Sequence, residues 1–144
     1  MTDIFLVGID GSECGRRAAD FAAVHAKHAG AHLIVAYVIE WSPYTFNTPE
    51  ENELRHKRRE EEIARAQSQV LEPMLAEFKK AGVAADGVVR HGHAAETLAQ
   101  LADEHKASQI FIGRRGVSKL QALLFGSVAG SLVQISTIPV TVVP

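Results

Sequence analysis

The sequence predicts an α/β protein: one open, doubly wound, five-stranded parallel sheet of the Rossmann-like kind, with helices on both faces, as one domain over residues 1–144. Three observations predict it. Apolar runs of strand length alternate with segments of helical periodicity, which implies a parallel sheet reached by right-handed crossovers. A hydrophobic content of 47% over 144 residues supplies a full core, and no stretch rich in Pro, Gly or Ser divides the chain. Glycine-bearing loops follow apolar strands at two places, where an open sheet of this class builds its ligand site.

The elements follow in order. Ile4 to Ile9 is the first apolar strand, and Ser12 is placed to cap a helix that carries Ala18, Phe21, Ala22 and His25 on one face and stops at Gly30. His32 to Ile39 is the second strand. Trp41 to Pro49 reads as a loop. From about Glu50 a long helix repeats Ile63, Ala66, Val70, Met74 and Phe78 at spacings of three and four, with a kink expected at Pro73. A third strand near Val83 to Arg90 precedes a helix near Ala94 to His105, apolar at Leu98, Leu101 and Ala102. Ile110-Phe111-Ile112 is the fourth strand, Ser127 opens the fourth helix, and Ile138 to Val143 is the fifth strand.

The chemistry concentrates after the fourth strand, in Gly113-Arg114-Arg115-Gly116 and, nine residues on, Gly126-Ser127. The amides of Gly126, Ser127 and Val128 open a helix and lack intrahelical partners, so they can point at an anion. Gly113 and Gly116 have no Cβ, which permits positive φ and close approach of a polyphosphate to the main chain. Ser127 adds a hydroxyl. No G-x-x-x-x-G-K-[ST] string occurs, nor a G-x-G-x-x-G after the first strand, which disfavours the two commonest nucleotide-loop families.

The pattern G-x2-G-x9-G-[ST] resembles the nucleotide-binding branch of the universal stress protein family. The resemblance covers the whole chain, from Ile4-Phe5-Leu6-Val7-Gly8-Ile9-Asp10-Gly11-Ser12 through Tyr37-Val38-Ile39 to the last strand, and it implies a sheet like that of the adenine nucleotide alpha hydrolases. Gly8 departs from it, since many members carry proline there. The resemblance implies an adenine nucleotide, ATP or AMP, with Mg²⁺ on its phosphates. Its site residues are Gly8, Asp10, Val38, Gly113, Arg115, Gly116, Gly126, Ser127 and Val128. Val38 meets the adenine edge through its main chain, Asp10 the ribose or a phosphate-bound Mg²⁺, and Arg115 the phosphate oxygens; Arg114 faces solvent. Asp10 has a second reading, as a capping carboxylate with which Ser12 competes. The implied role is a regulatory switch in stress response; slow ATP hydrolysis and a scaffold of the same fold that binds no nucleotide are the alternatives.

Other residues exclude more than they assign. A net charge of -2 with mixed signs gives no footprint for nucleic acid. No apolar run is long enough for a bilayer and no secretory leader is visible, so the expected location is the cytoplasm. One cysteine excludes an internal disulfide; Cys14 reads as a small core residue rather than a redox thiol. His91-Gly92-His93 reads as a turn, since zinc needs more ligands than the pair and Glu96 supply. The run Arg55 to Glu62 is a solvated helix face, with Arg58 spaced to pair with Glu61 and Glu62. Trp41 and Tyr44 stay unassigned between an adenine pocket and a core cap. The last strand, apolar on both faces and at the sheet edge by resemblance, points to a homodimer.

Overall fold

Strand β1 (Ile4–Ile9) lies at the centre of a five-stranded parallel sheet, with β2 (His32–Glu40) and β3 (Ala85–Gly92) to one side and β4 (Gln109–Gly113) and β5 (Val140–Val143) to the other. The computed structural model describes residues 2–40, 49–116 and 126–144. Strand order therefore reverses between β1 and β4, and the chain returns from β3 to the far side of β1. Register puts Gly8 between Ala36 and Ile112, so the ends of β1, β2 and β4 finish close together.

Alternation along each strand feeds two cores. On one face Phe5, Val7, Ile9, Leu33, Val35 and Phe111 pack under α1 (Glu13–Ala29) and α3 (Glu72–Lys80). On the other, Leu6, Ile34, Ala36, Val38, Ile110 and Ile112 meet α4 (Ala94–His105) and α5 (Ser127–Ile135). Leu6, Leu98, Leu101 and Leu132 are fully enclosed there, each contributing about 1.5–3 kcal/mol by leaving water.

Helix α1 starts and stops as the sequence predicts, capped by Ser12 and ended by Gly30 at φ 67°. Its buried stripe is made of alanines, Ala18, Ala19, Ala22, Ala23 and Ala26, which let the helix lie close to the sheet. Phe21 and His25 fall outside that stripe; Phe21 is 42% exposed, and its ring packs at a tilt on those of His25 and Phe111. The long second helix is interrupted. Helix α2 (Pro49–Arg65) passes through one π-helical stretch, Ala66–Leu71, into α3, so the single kinked helix becomes two helices joined by a widened turn. Pro73 explains it: proline has no amide to give the preceding turn and is tolerated only near a helix start, which is where α3 places it.

Strands β3 and β5 differ most from expectation. Strand β3 begins later and runs on to Gly92, because β2 extends to Glu40 and offers His91 and Gly92 a parallel partner. His91-Gly92 is thus strand, not turn. Strand β5 is shorter, beginning at Val140, since Pro139 lacks an amide and contributes only its carbonyl, to the Ile110 amide at 2.9 Å. Cys14 is buried, its Sγ 3.5 Å from the Val143 carbonyl. In the charged helix face, His56 pairs with Glu60 one turn on at 3.0 Å. Among the described residues, no helix is long and apolar enough to cross a membrane and no cluster of three metal-binding side chains occurs.

Candidate functional site

Asp10 leaves the end of β1 and organises the first turn of α1. Its Oδ1 accepts the Ser12 amide at 3.0 Å and the Ser12 hydroxyl at 2.5 Å, while Ser12 Oγ accepts the Gly15 amide at 3.0 Å. Asp10 and Ser12 therefore share the cap in series rather than competing for it. The other oxygen, Oδ2, lies over Gly116: a Cβ added there would sit 2.6 Å from it. Two segments distant in sequence, Asp10-Gly11 and Gly113 to Gly116, thus meet where strand order reverses.

The glycines are needed for close packing rather than for unusual dihedrals. Gly113 and Gly116 are not among the positive-φ residues of the described chain, contrary to expectation. A Cβ on Gly113 would meet Cys14 Sγ at 2.9 Å and the Cys14 carbonyl carbon and oxygen at 3.0 Å. The missing side chain brings β4 against the start of α1. A Cβ on Gly126 would press on Arg114 O and Arg115 Cα, each at 3.2 Å. The Gly126 amide is also taken, bonding Arg114 O at 2.8 Å, so of the three amides expected to face an anion it drops out. Those of Ser127 and Val128 remain, in the first turn of a helix with no side-chain cap.

Arg114 is exposed, and Arg115 is half-buried with its Nε enclosed. Val38 is buried in the second core near the end of β2. Gly8 is a packing glycine: a Cβ would come within 2.6 Å of Leu98 Cδ1. Beside these segments a cleft of about 440 Å³ opens between the end of β2 and the starts of α4 and α5, lined by Glu40, His93, Glu96, Ser127, Val128 and Ser131 among others. Ser127 and Val128 belong to the cleft wall. Gly8, Asp10, Val38, Gly113, Arg115, Gly116 and Gly126 are not among its lining residues, though Gly126 packs on Arg115 and Gly116 immediately before Ser127; Trp41 and Tyr44 lie outside the described residues.

Tyr37 and Glu40 were missed by sequence reading. Tyr37 stands beneath the Asp10-Gly11 turn, its hydroxyl donating to Asp10 O at 3.5 Å and lying 3.4 Å from a Cβ built on Gly11, whose φ is 85°. Burial, then the charges of Asp10 and Glu62, push the Tyr37 phenol above its ordinary range. Glu62 also pairs with His91 at 3.0 Å, which uses that histidine to hold α2 on β3. Period-two alternation could have found Tyr37, since Ile9 and Tyr37 are register partners and point to the same face.

The model of the universal stress protein family matches residues 1–144. The chain belongs to that family. It is 32% identical to universal stress protein YxiE of Bacillus subtilis, over 99% of both chains. In structure it superposes on the universal stress protein UspA from Lactobacillus plantarum with a TM-score of 0.87 at 20% identity, over 99% of this chain and 97% of the other. The universal stress protein from Archaeoglobus fulgidus in complex with dAMP shares the fold at TM-score 0.65 and 20% identity, over 100% of this chain and 98% of the other.

Proposed function

We propose that this universal stress protein binds an adenine nucleotide, ATP or AMP with Mg²⁺, across the carboxyl ends of β1, β2 and β4, and that occupancy acts as a cytoplasmic regulatory signal in stress response. One observation carries the reading. Asp10, Gly116 and Gly126 pack on one another at the reversal of strand order, and they deliver the uncapped start of α5 to an open cleft. Helix amides favour anionic oxygens, the Arg115 guanidinium is one residue from Gly116, and Val38 offers main chain at the β2 end for an adenine edge. The relative that binds dAMP supports an adenylate as the ligand class.

The second part of the proposal is a homodimer on β5. Among the described residues that strand has one neighbour, β4, and the helices α1 and α5 packed on it carry exposed apolar side chains, Phe21, Val24, Val133 and Ile135. Light scattering at micromolar concentration should give twice the 15.6 kDa chain mass, and a monomer mass with and without ATP sinks the dimer. For the ligand, calorimetric melting is decisive: a nucleotide selective for the native state at about 100 times its Kd adds about 2.7 kcal/mol. An unchanged melting temperature in millimolar ATP or AMP, with Mg²⁺ present, refutes the reading. Turnover far below about 1 s⁻¹ is expected, and faster phosphate release abolished by Asp10→Asn would make an enzyme the better description.

A further inference from the structure

Two helix starts open on the same cleft, and they are not alike. Helix α4 begins after His93, whose side chain makes no capping bond, and α5 begins after Gly126, which has no side chain to cap with. Either could receive an anion at its first amides. At α4 that place is filled from within: Glu40, the last residue of β2, accepts the Ala94 amide on Oε1 at 3.3 Å across 54 residues of sequence. Glu96, in the first turn of α4, adds a second carboxylate to the same wall, whereas α5 has no acidic residue in its first turn. The α4 side of the cleft is anionic and rich in acceptors. The α5 side offers amides and the Ser127 hydroxyl.

Resting on the nucleotide reading above, we propose that Glu40 makes the cleft directional: it denies the start of α4 to phosphate and presents its remaining acceptor positions to the amino and hydroxyl donors of the nucleoside. The phosphates are thereby confined to α5. A carboxylate bound by one amide keeps most of its lone pairs for other donors, and its charge repels a phosphate a few ångströms away, most strongly at low ionic strength.

The test compares AMP with inorganic tripolyphosphate by titration calorimetry in low salt, for wild type and Glu40→Gln. The amide oxygen of glutamine still accepts the Ala94 N–H, so the start of α4 stays satisfied while the charge is lost. AMP should bind about 3–10-fold more weakly, because the nucleoside loses a charged acceptor, and tripolyphosphate about 2–5-fold more tightly, because the carboxylate that repels it is gone. Opposite signs are the signature. Affinities that fall together, or an AMP affinity that does not change, overturn the proposal, and Glu96→Gln should repeat the tripolyphosphate gain without disturbing the cap. Failure of the wild type to bind AMP at all refutes the nucleotide reading as well. Binding of AMP with no dependence on Glu40 refutes this inference alone.

Discussion

Helices α1 and α5 both start at the carboxyl edge of the sheet beside adjacent strands, yet one start is closed and the other open. At α1, Asp10 accepts the Ser12 amide and Ser12 Oγ accepts the Gly15 amide, each at 3.0 Å, and the buried Cys14 packs the turn against Gly113. At α5, Gly126 spends its own amide on Arg114 O and brings no side chain to the next two. The difference teaches which helix start of this fold is satisfied by its own side chains and which is not. Capping residues satisfy the amides of a helix start from within, and a glycine in their place leaves those amides without a side-chain partner.

The largest expected effect comes from closing the gap that keeps the α5 start in place. Gly126→Val puts a branched side chain against Arg114 O and Arg115 Cα, both backbone atoms, so the loop must move rather than a side chain rotate. The nucleotide should be lost through displacement of that loop, with affinity falling more than about 100-fold and stability by about 1–3 kcal/mol from overpacking. Titration calorimetry checks it, and an undiminished affinity would break the assignment of α5 as the phosphate end.

Much of this was legible because alternation, caps and glycines are local signals. Ser12 and Gly30 bounded α1 correctly, and all five strands came from apolar runs. The reasons behind the glycines were not legible, because Gly8, Gly113 and Gly126 are set by what approaches them from afar: Leu98, Cys14 and the Arg114-Arg115 backbone. Glu40 was missed for the same reason. Its partner, Ala94, is 54 residues away and is brought to it only by the pairing of β2 with β3. The π-helical turn before Pro73 is intermediate, since proline announces a break but not whether the helix bends or widens.

A paired substitution sharpens the contrast between the two starts. Ser127→Ala should leave the melting temperature of the free protein nearly unchanged, since the exposed hydroxyl caps nothing, and weaken ATP about 10-fold or more, as loss of a bond to a charged group costs about 1.5–3 kcal/mol. Ser12→Ala should do the reverse, at a smaller cost of about 1 kcal/mol in stability for a lost cap, with a lower melting temperature. Equal stability losses in both variants would remove the distinction.

The smallest effect reads the closed start directly. Tyr37 sits against Asp10, and its phenol is held above 10.0 first by burial and then by the carboxylates of Asp10 and Glu62. An acid whose folded pKa is raised stabilises the fold fully below its unfolded pKa, because the neutral form is the one the fold accommodates. That contribution declines as pH rises from about 10 upward, where the unfolded chain has already released its proton and the folded chain has not. Absorbance at the tyrosinate band should therefore show one tyrosine titrating late, and Tyr37→Phe should abolish that step. Asp10→Asn removes a neighbouring charge but leaves the burial, so the late step should move down only part of the way toward 10.0. A late step unmoved by Asp10→Asn would mean that the Asp10 charge does not reach Tyr37 and that burial alone raises the phenol.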